Sequence, residues 1–266
     1  MAEALEIRPG DTRRAAAVLL EAERSVTARG PITAQWPTLD LPGAYTVQYE
    51  ALQQRLARGE KLIGVKLGLT SRAKQLRMGI DSPSLAWLTD AMVLPAGEPL
   101  PRERLIHPRA EPEIVFVMGE RLAGPGVTAA TALRAVERVH AGIEIIDSRF
   151  QDFSFTLADA VADNSSSALF VLGPVGRSPE GLDLAHEAVL LEVDGEPVDS
   201  ATGAAVQGHP AEALALAANA LGERGLALES GQLVLTGGMT DAVHVRPGSS
   251  VRASFSTLGA VSVAGG

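Results

Sequence analysis

Three short stretches near the middle of the chain decide how it folds: Glu111-Pro-Glu-Ile-Val-Phe-Val-Met118, Gly142-Ile-Glu-Ile-Ile-Asp-Ser-Arg149 and Ala162-Asp-Asn-Ser-Ser-Ser167. They place Glu111, Glu113 and Glu144 among apolar residues, where a folded chain rarely holds a charge that nothing pairs with. Residues two apart in a strand point to the same face, so Glu111 and Glu113 project side by side, about 7 Å apart along the strand. Two carboxylates that close repel unless a cation or a proton lies between them.

The residues between Glu113 and Glu144 predict how the chain brings Glu144 close to the other two carboxylates. Thr128 starts a predicted helix that carries Leu133, Val136 and Val139 and ends near Gly142. The apolar run that follows, with Glu144 as its one charge, predicts a strand. The order strand, helix, strand favours a crossover connection that brings Glu144 back near Glu111 and Glu113.

Three carboxylates without a cysteine, and without a histidine at ligand spacing, are typical of a site for a hard cation such as magnesium, manganese or calcium. The alternative is structural. In that interpretation Glu111 and Glu113 form a solvated strand edge, and Glu144 pairs with Arg149 or with Lys66. The residues by themselves leave both interpretations open.

Lys66 lies within a second apolar run, from Leu62 to Leu67, which predicts a strand. Neighbouring glycines allow another group to approach the backbone closely. A lysine in this position either extends to solvent, pairs with a structural acid, or has a functional role. Ser71 is the predicted N-cap of a short helix that runs through Arg77, and Asp90 interrupts a short strand or turn. An isolated aspartate of this kind is usually a turn or capping residue.

The remaining pattern predicts an α+β fold with a curved, largely antiparallel sheet. Residues 1–60 form a predicted helical segment, with Asp11 as the first N-cap and a second helix from Pro42 to Arg58. Residues 61–266 form the rest of the predicted fold. An Asp194-Gly195 turn predicts a hairpin, since this dipeptide suits a two-residue loop.

The composition narrows the class of protein. The net charge of −9 argues against a nucleic-acid partner, because phosphate binding needs a basic surface. The absence of cysteine excludes disulfides and thiolate metal sites. The N-terminal residues show neither a basic region nor an apolar region of a secretory signal, and no apolar run is long enough to span a bilayer. We therefore expect a cytoplasmic protein without a membrane partner.

Five motifs occur in the order known from one superfamily. They are Gly64-Val-Lys-Leu-Gly-Leu-Thr-Ser71, Glu111-Pro-Glu-Ile114, Ile143-Glu-Ile-Ile-Asp-Ser-Arg149, Ala162-Asp-Asn-Ser-Ser-Ser167 and Leu235-Thr-Gly-Gly238. With them the chain resembles the fumarylacetoacetate hydrolase superfamily from about Leu41 to its C-terminus. It is most similar to the branch of hydratases and decarboxylases in the meta-cleavage degradation of aromatics.

The resemblance implies a fold, a metal and a set of site residues. The fold would be a mixed β-roll with an N-terminal helical segment, residues 1–60, and a catalytic domain, residues 61–266. A divalent metal, usually Mg²⁺ or Mn²⁺, would be held by Glu111, Glu113 and Glu144. Lys66 and Asp90 would be catalytic. Further residues at positions that line the substrate pocket are Thr70, Ser71 and Ser166.

Within this branch, the resemblance implies decarboxylation of 2-oxo-3-hexenedioate, a small 2-oxo acid, or alternatively hydration of 2-oxopent-4-enoate. The stretch from Arg149 to Phe155 is similar to the decarboxylases, since the hydratases tend to have Ile and Trp at the positions of Phe150 and Phe153. Leu88-Thr-Asp-Ala-Met92 is instead similar to some hydratases. The resemblance also implies a homo-oligomer and an association with a partner hydratase.

Overall fold

The computed structural model describes residues 8–71, 75 and 76, and 83–266. Within them, eleven strands form two sheets. In chain order they are β1 (Leu62–Gly68), β2 (Ser84–Thr89), β3 (Arg109–Met118), β4 (Val136–Ile146), β5 (Ser167–Arg177), β6 (Ala188–Val193), β7 (Glu196–Thr202), β8 (Leu233–Leu235), β9 (Val243–His244), β10 (Ser250–Phe255) and β11 (Gly259–Ala264).

The larger sheet has the order β2-β1-β8-β3-β4-β5, with β9 paired to β3 beyond the short strand β8. The smaller sheet has the order β11-β10-β6-β7. Among the described strands, β1 and β8 pair in parallel and the other pairs are antiparallel. The predicted α+β class and the largely antiparallel sheet are therefore confirmed.

The predicted crossover between Glu113 and Glu144 was wrong. The helix, α3, is short (Ala129–Arg134), and the chain then enters β4, which runs antiparallel to β3. Val136 and Val139 fit a helical stripe, but they lie in β4 and are buried. β-Branched residues suit a pleated, half-buried surface, and here strand pairing overrides the helical spacing. The predicted proximity of Glu144 to Glu111 is confirmed, because the two residues pair directly across the strands.

The N-terminal residues form two helices, α1 (Pro9–Arg24) and α2 (Leu41–Ala57), as the predicted helical segment requires. Asp11 lies in the first turn of α1, so its prediction as the N-cap was wrong. The apolar faces of both helices share a buried cluster with Phe150, Val161 and Ala162 from the later part of the chain. The helical segment is thus packed onto the residues that follow β4.

Two further α-helices are α4 (Leu157–Ala162) and α5 (Pro210–Gly222). The main apolar core lies between the sheets and α5, with Phe116, Ile143 and Leu214 fully buried. Most of the helix predicted after Ser71 falls outside the described residues. Among the described residues, none of the helices combines the length and apolar character that a bilayer span requires.

Candidate metal centre

The three glutamates meet on β3 and β4. Glu111 pairs with Glu144 across the two strands, and Glu113 follows two residues later on the same face of β3. One carboxylate oxygen of each residue lies within 4.8 Å of the others. Glu113 and Glu144 are buried, and Glu111 is half-buried. The spacing is small enough for a single cation to contact all three carboxylates, which are the oxygen donors that hard divalent cations prefer.

Lys66 enters this cluster from β1. Its ammonium lies 3.2 Å from each carboxylate oxygen of Glu144 and donates a hydrogen bond to the Ser165 carbonyl at 2.8 Å. Its side chain is 3% exposed, so it does not extend to solvent. Of the two partners that the sequence left open for Glu144, the structure shows Lys66.

Arg149 serves a separate, structural ion pair. Its guanidinium contacts the carboxylate and the carbonyl of Asp163, and it donates to the Asp147 carbonyl at 2.8 Å. Both side chains of the pair are buried. Burial raises the pKa of Asp163 to about 6, although the charge of Arg149 acts in the opposite direction. The pair ties Arg149, which follows β4, to Asp163, which precedes the turn whose Ser165 carbonyl contacts Lys66.

The Ser165 carbonyl points at Lys66 because the backbone there has an unusual shape. Asn164, Ser165 and Ser166 each have positive φ, at 51°, 50° and 58°. Such a run is uncommon outside glycine and needs external support. The Asn164 side chain supplies it, since its amide accepts from the Trp87 nitrogen and donates to the Trp87 carbonyl, both at 2.9 Å.

The hydrogen bonding of the Glu113 carboxylate is incomplete. Its Oε2 accepts a hydrogen bond from the Gly237 nitrogen at 2.7 Å, but its buried Oε1 has no hydrogen-bond partner. Burial raises the pKa of Glu113 well above its ordinary value, and the charges of Glu144 and Glu111 raise it further, against the opposing effects of Lys66 and the Gly237 nitrogen. Three carboxylates and one ammonium leave a negative excess that a divalent cation would neutralise. The residues present therefore fit such an ion.

Two residues that contact the carboxylates were not among the predicted site residues. Ser167 donates a hydrogen bond to Glu144 Oε1 at 3.0 Å. Gly238 lies so close to Glu111 that a Cβ there would be 2.8 Å from its carboxylate carbon. Both residues belong to motifs that the sequence singles out, but only the fold shows which side chain each one touches.

The predicted pocket residues lie at different distances from the cluster. Thr70 is buried, and a Cβ on Gly237 would meet its side chain, so it adjoins the loop that binds Glu113. Ser71 follows it and is half-buried. Ser166 follows Ser165 in the chain and is buried. Its carbonyl accepts a hydrogen bond from the Asp147 nitrogen at 2.8 Å.

Asp90 is not brought to the cluster. The register of β1 and β2 pairs Lys66 with Ala86 and Leu62 with Thr89, so Asp90 lies near the opposite end of β1. Its side chain is exposed, and it accepts a hydrogen bond from the Lys61 nitrogen at 2.9 Å. Its contacts are those of a turn residue. Asp90 therefore lies apart from the cluster, and its catalytic role stays a prediction.

Comparison with known proteins places this site in a family. The family model for the fumarylacetoacetate (FAA) hydrolase C-terminal region matches residues 61–263. The chain is 39% identical over 231 residues to 4-oxalocrotonate decarboxylase of Pseudomonas putida, covering 87% of this chain and 88% of the relative. It is 38% identical over 247 residues to 2-hydroxyhexa-2,4-dienoate hydratase of Comamonas testosteroni, covering 92% and 94%.

A solved structure extends the likeness to nearly the whole fold. The 4-oxalocrotonate decarboxylase from Pseudomonas putida G7, complexed with magnesium and adipate, has a TM-score of 0.94 and 38% identity to this chain, covering 97% of this chain and 98% of the other. The N-terminal helices and the two sheets are thus those of a known fold. The chain belongs to the fumarylacetoacetate hydrolase family, among the decarboxylases and hydratases of the meta-cleavage pathway, which are lyases.

Proposed function

We propose that this protein decarboxylates 2-oxo-3-hexenedioate to 2-hydroxypenta-2,4-dienoate and CO2 with the help of Mg²⁺ or Mn²⁺. The observation that carries the proposal is the buried cluster of Lys66 with three glutamates, in which Glu113 Oε1 has no partner. The similarity to a decarboxylase solved with magnesium over nearly the whole chain supports this reaction.

Glu111, Glu113 and Glu144 would hold the ion. When bound, a divalent cation supplies a Lewis acid that draws electron density from the 2-oxo acid end of the substrate. Ser167 and the Gly237 nitrogen fix the orientation of two of the carboxylates through their hydrogen bonds. Partners of this kind orient ligands and tune the affinity of a metal site.

The reaction transfers one electron pair and one proton. The bond between C5 and the remote carboxyl carbon breaks, CO2 leaves, and the electron pair moves through the conjugated carbons to the 2-oxo oxygen. That oxygen then takes a proton. Lys66 places a positive charge, and a proton donor, inside the buried cluster where this negative charge develops. The Ser165 carbonyl and Glu144 keep the ammonium in place.

Thr70, Ser71 and Ser166 remain our candidates for substrate contacts. Thr70 and Ser166 lie beside the two loops that contact Glu113 and Lys66, respectively. The structure offers no such argument for Asp90. We propose in addition that the protein forms a homo-oligomer and associates with a partner hydratase, which light scattering of the protein alone and of the mixed pair would test.

Hydration of 2-oxopent-4-enoate is the second candidate, because hydratases match the chain as extensively as the decarboxylases do. It needs the same carboxylates and lysine but adds a water molecule. A product assay separates the two reactions. Purified protein with Mg²⁺ is incubated with each substrate, and CO2 and the hydrated product are measured. Release of CO2 from 2-oxo-3-hexenedioate supports the proposal, whereas hydration of 2-oxopent-4-enoate alone would refute it.

A further inference from the structure

Arg109 begins β3 and shares a face with Glu111 and Glu113, which follow two and four residues later. Its Nε atom is buried and has no hydrogen-bond partner. In the part of the chain that the structure describes, no carboxylate forms an ion pair with it. A buried arginine nitrogen without an acceptor is costly, since its solvation is lost and not replaced. This arginine is therefore poised to receive an acceptor from outside the chain.

The guanidinium of Arg109 is held in one orientation. Its central carbon lies 3.9 Å from the centroid of the Phe153 ring, which is close enough for a cation–π contact. Phe153 in turn packs on His107, with ring centroids 4.8 Å apart. His107 Nε2 donates to the Ser148 carbonyl at 2.7 Å, because a carbonyl oxygen can only accept. The stack pre-orients the guanidinium before any ligand arrives.

Arg109 and a second arginine, Arg246, both lie close enough to His244 to act on its imidazole. His244 pairs with it across β9 and β3. Burial lowers the pKa of His244, and the charges of Arg109, Arg246 and His107 lower it further. The two arginines thus put positive charge beside the glutamate cluster, and Arg109 lies on the same strand as Glu111 and Glu113. The pair of sites suits a molecule with a metal-binding group at one end and an anion at the other.

We propose that Arg109 binds the remote carboxylate of a dicarboxylate substrate whose 2-oxo acid end lies at Glu111, Glu113 and Glu144. Residues two apart in a strand are separated by about 7 Å. The terminal carboxyl carbons of an extended six-carbon diacid are about 6 Å apart, given ordinary carbon–carbon bonds. The planar fork of a guanidinium matches a carboxylate with two parallel hydrogen bonds. Arg109 is then the residue that selects a diacid over a monoacid.

This assignment rests on the proposed function and adds the substrate class. In the proposed reaction the carboxylate at Arg109 is the group that leaves as CO2. The product has lost its charge at that end and no longer contacts Arg109, which favours its release. A hydratase substrate without a remote carboxylate would have no use for this arginine.

Binding of two inert six-carbon acids tests the inference without turnover. Adipate has two carboxylates, and hexanoate replaces one of them with a methyl group. Calorimetric titration of the Mg²⁺-loaded protein measures the affinity for each. We expect the wild-type protein to prefer adipate by about 10- to 100-fold, as a charge-assisted hydrogen bond allows. Arg109→Gln should remove this preference and leave hexanoate binding unchanged.

Arg134→Gln is the matched control, because Arg134 is exposed at the end of α3 and the same charge is lost there. It should bind both acids as the wild-type protein does. If Arg109→Gln misfolds by circular dichroism, Arg109→Lys replaces it, and the preference should fall by several-fold because the fork is lost. An unchanged preference in the folded variant, or equal loss of both acids, overturns the inference.

The same measurements distinguish a failure of the proposed reaction from a failure of the Arg109 assignment. If the wild-type protein releases no CO2 but Arg109→Gln still removes the preference for adipate, the arginine site stands and the decarboxylase proposal falls. If the wild-type protein releases CO2 and the preference is unaffected, the reaction stands and the arginine site is refuted.

Discussion

The ammonium of Lys66 lies 3.2 Å from both oxygens of Glu144, although the two residues belong to strands that are not neighbours. β8 and β3 lie between β1 and β4 in the sheet. In a flat sheet, three strand spacings would separate them by about 14 Å. Two side chains cannot close that gap with a direct contact. The sheet must curl into a roll, and this curl encloses the glutamate cluster.

Replacing Lys66 tests its part in the reaction. Lys66→Met keeps most of the side-chain volume but removes the ammonium beside Glu144. We expect the rate of CO2 release from 2-oxo-3-hexenedioate to fall by about 10²- to 10⁴-fold, the usual range for a positioned proton donor. Lys61→Met is the control, because Lys61 is exposed and immediately precedes the same strand. Equal rates for Lys66→Met and the control would refute the role.

A rival mechanism makes Lys66 a nucleophile that forms a Schiff base with the 2-oxo group. Borohydride would reduce such an adduct and leave the substrate attached to the protein. We expect no added mass by mass spectrometry after treatment of the protein with substrate and borohydride, because the ammonium is held by Glu144 and the Ser165 carbonyl. An adduct on Lys66 would replace the proposed mechanism with the covalent one.

The pKa of Glu113 predicts how the stability of the metal-free protein depends on pH. Because burial and neighbouring charges raise this pKa, the folded chain keeps a proton that the unfolded chain loses above its ordinary pKa. The stability from this group is present below the unfolded pKa and is lost as pH rises through the folded pKa. The free energy of unfolding should fall by up to about 1.4 kcal/mol per pH unit in that window.

Urea unfolding in the presence of a chelator measures this dependence at about pH 5 and about pH 8. Asp163, with its pKa raised to about 6, contributes with the same sign. Glu113→Gln removes one contribution and leaves the other, so its stability should change less with pH than that of the wild-type protein. An identical pH dependence in the two proteins would contradict the assignment to Glu113.

Ser167→Ala tests whether the hydrogen bond to Glu144 supports metal binding. Without the hydroxyl, Glu144 Oε1 keeps its charge but loses a donor that fixes its direction. We expect the affinity for Mg²⁺, measured by calorimetry, to fall by about 10- to 100-fold, the usual effect of removing such a partner. Ser154→Ala, at an exposed position, should bind Mg²⁺ as the wild-type protein does. Wild-type affinity in Ser167→Ala would refute this support.

Gly238→Ala tests the close approach to Glu111. The added methyl group would lie 2.8 Å from the carboxylate carbon, so the end of the Glu111 side chain must move. We expect the fold to persist and the Mg²⁺ affinity to fall by about 10-fold. Gly30→Ala is the control, because a methyl group there meets no atom within 4 Å. Unchanged Mg²⁺ affinity in Gly238→Ala would show that metal binding does not depend on the observed position of the Glu111 side chain.

The alternation of residues along a strand accounts for what the sequence predicted well. It placed Glu111 and Glu113 on one face, because side chains two apart always point the same way in a strand. The same rule could have found Arg109, two residues earlier, but arginine at the start of a strand usually lies in solvent. Its importance depends on Phe153 and on the missing acceptor, which only the folded chain shows.

What the sequence could not supply is register. Glu144 was expected near Glu111 through a crossover, and it arrives there through antiparallel pairing. Asp90 was expected at the site, but the pairing of Leu62 with Thr89 carries it toward the other end of β1. The hydrophobic pattern fixes which face of a strand is buried, but for strands joined by long connections the pairing also depends on the rest of the fold. The choice of Lys66 over Arg149 as the partner of Glu144 depends on the same long-range pairing.

The most direct test of the account is the metal dependence of CO2 release from 2-oxo-3-hexenedioate. The protein is freed of metal by exhaustive chelation, assayed, and assayed again after Mg²⁺ is added. The account predicts that chelation abolishes CO2 release, that Mg²⁺ restores it, and that Mg²⁺ fails to restore it in Glu113→Gln. Undiminished release from the chelated wild-type protein would contradict the central claim that the three glutamates act through a divalent cation.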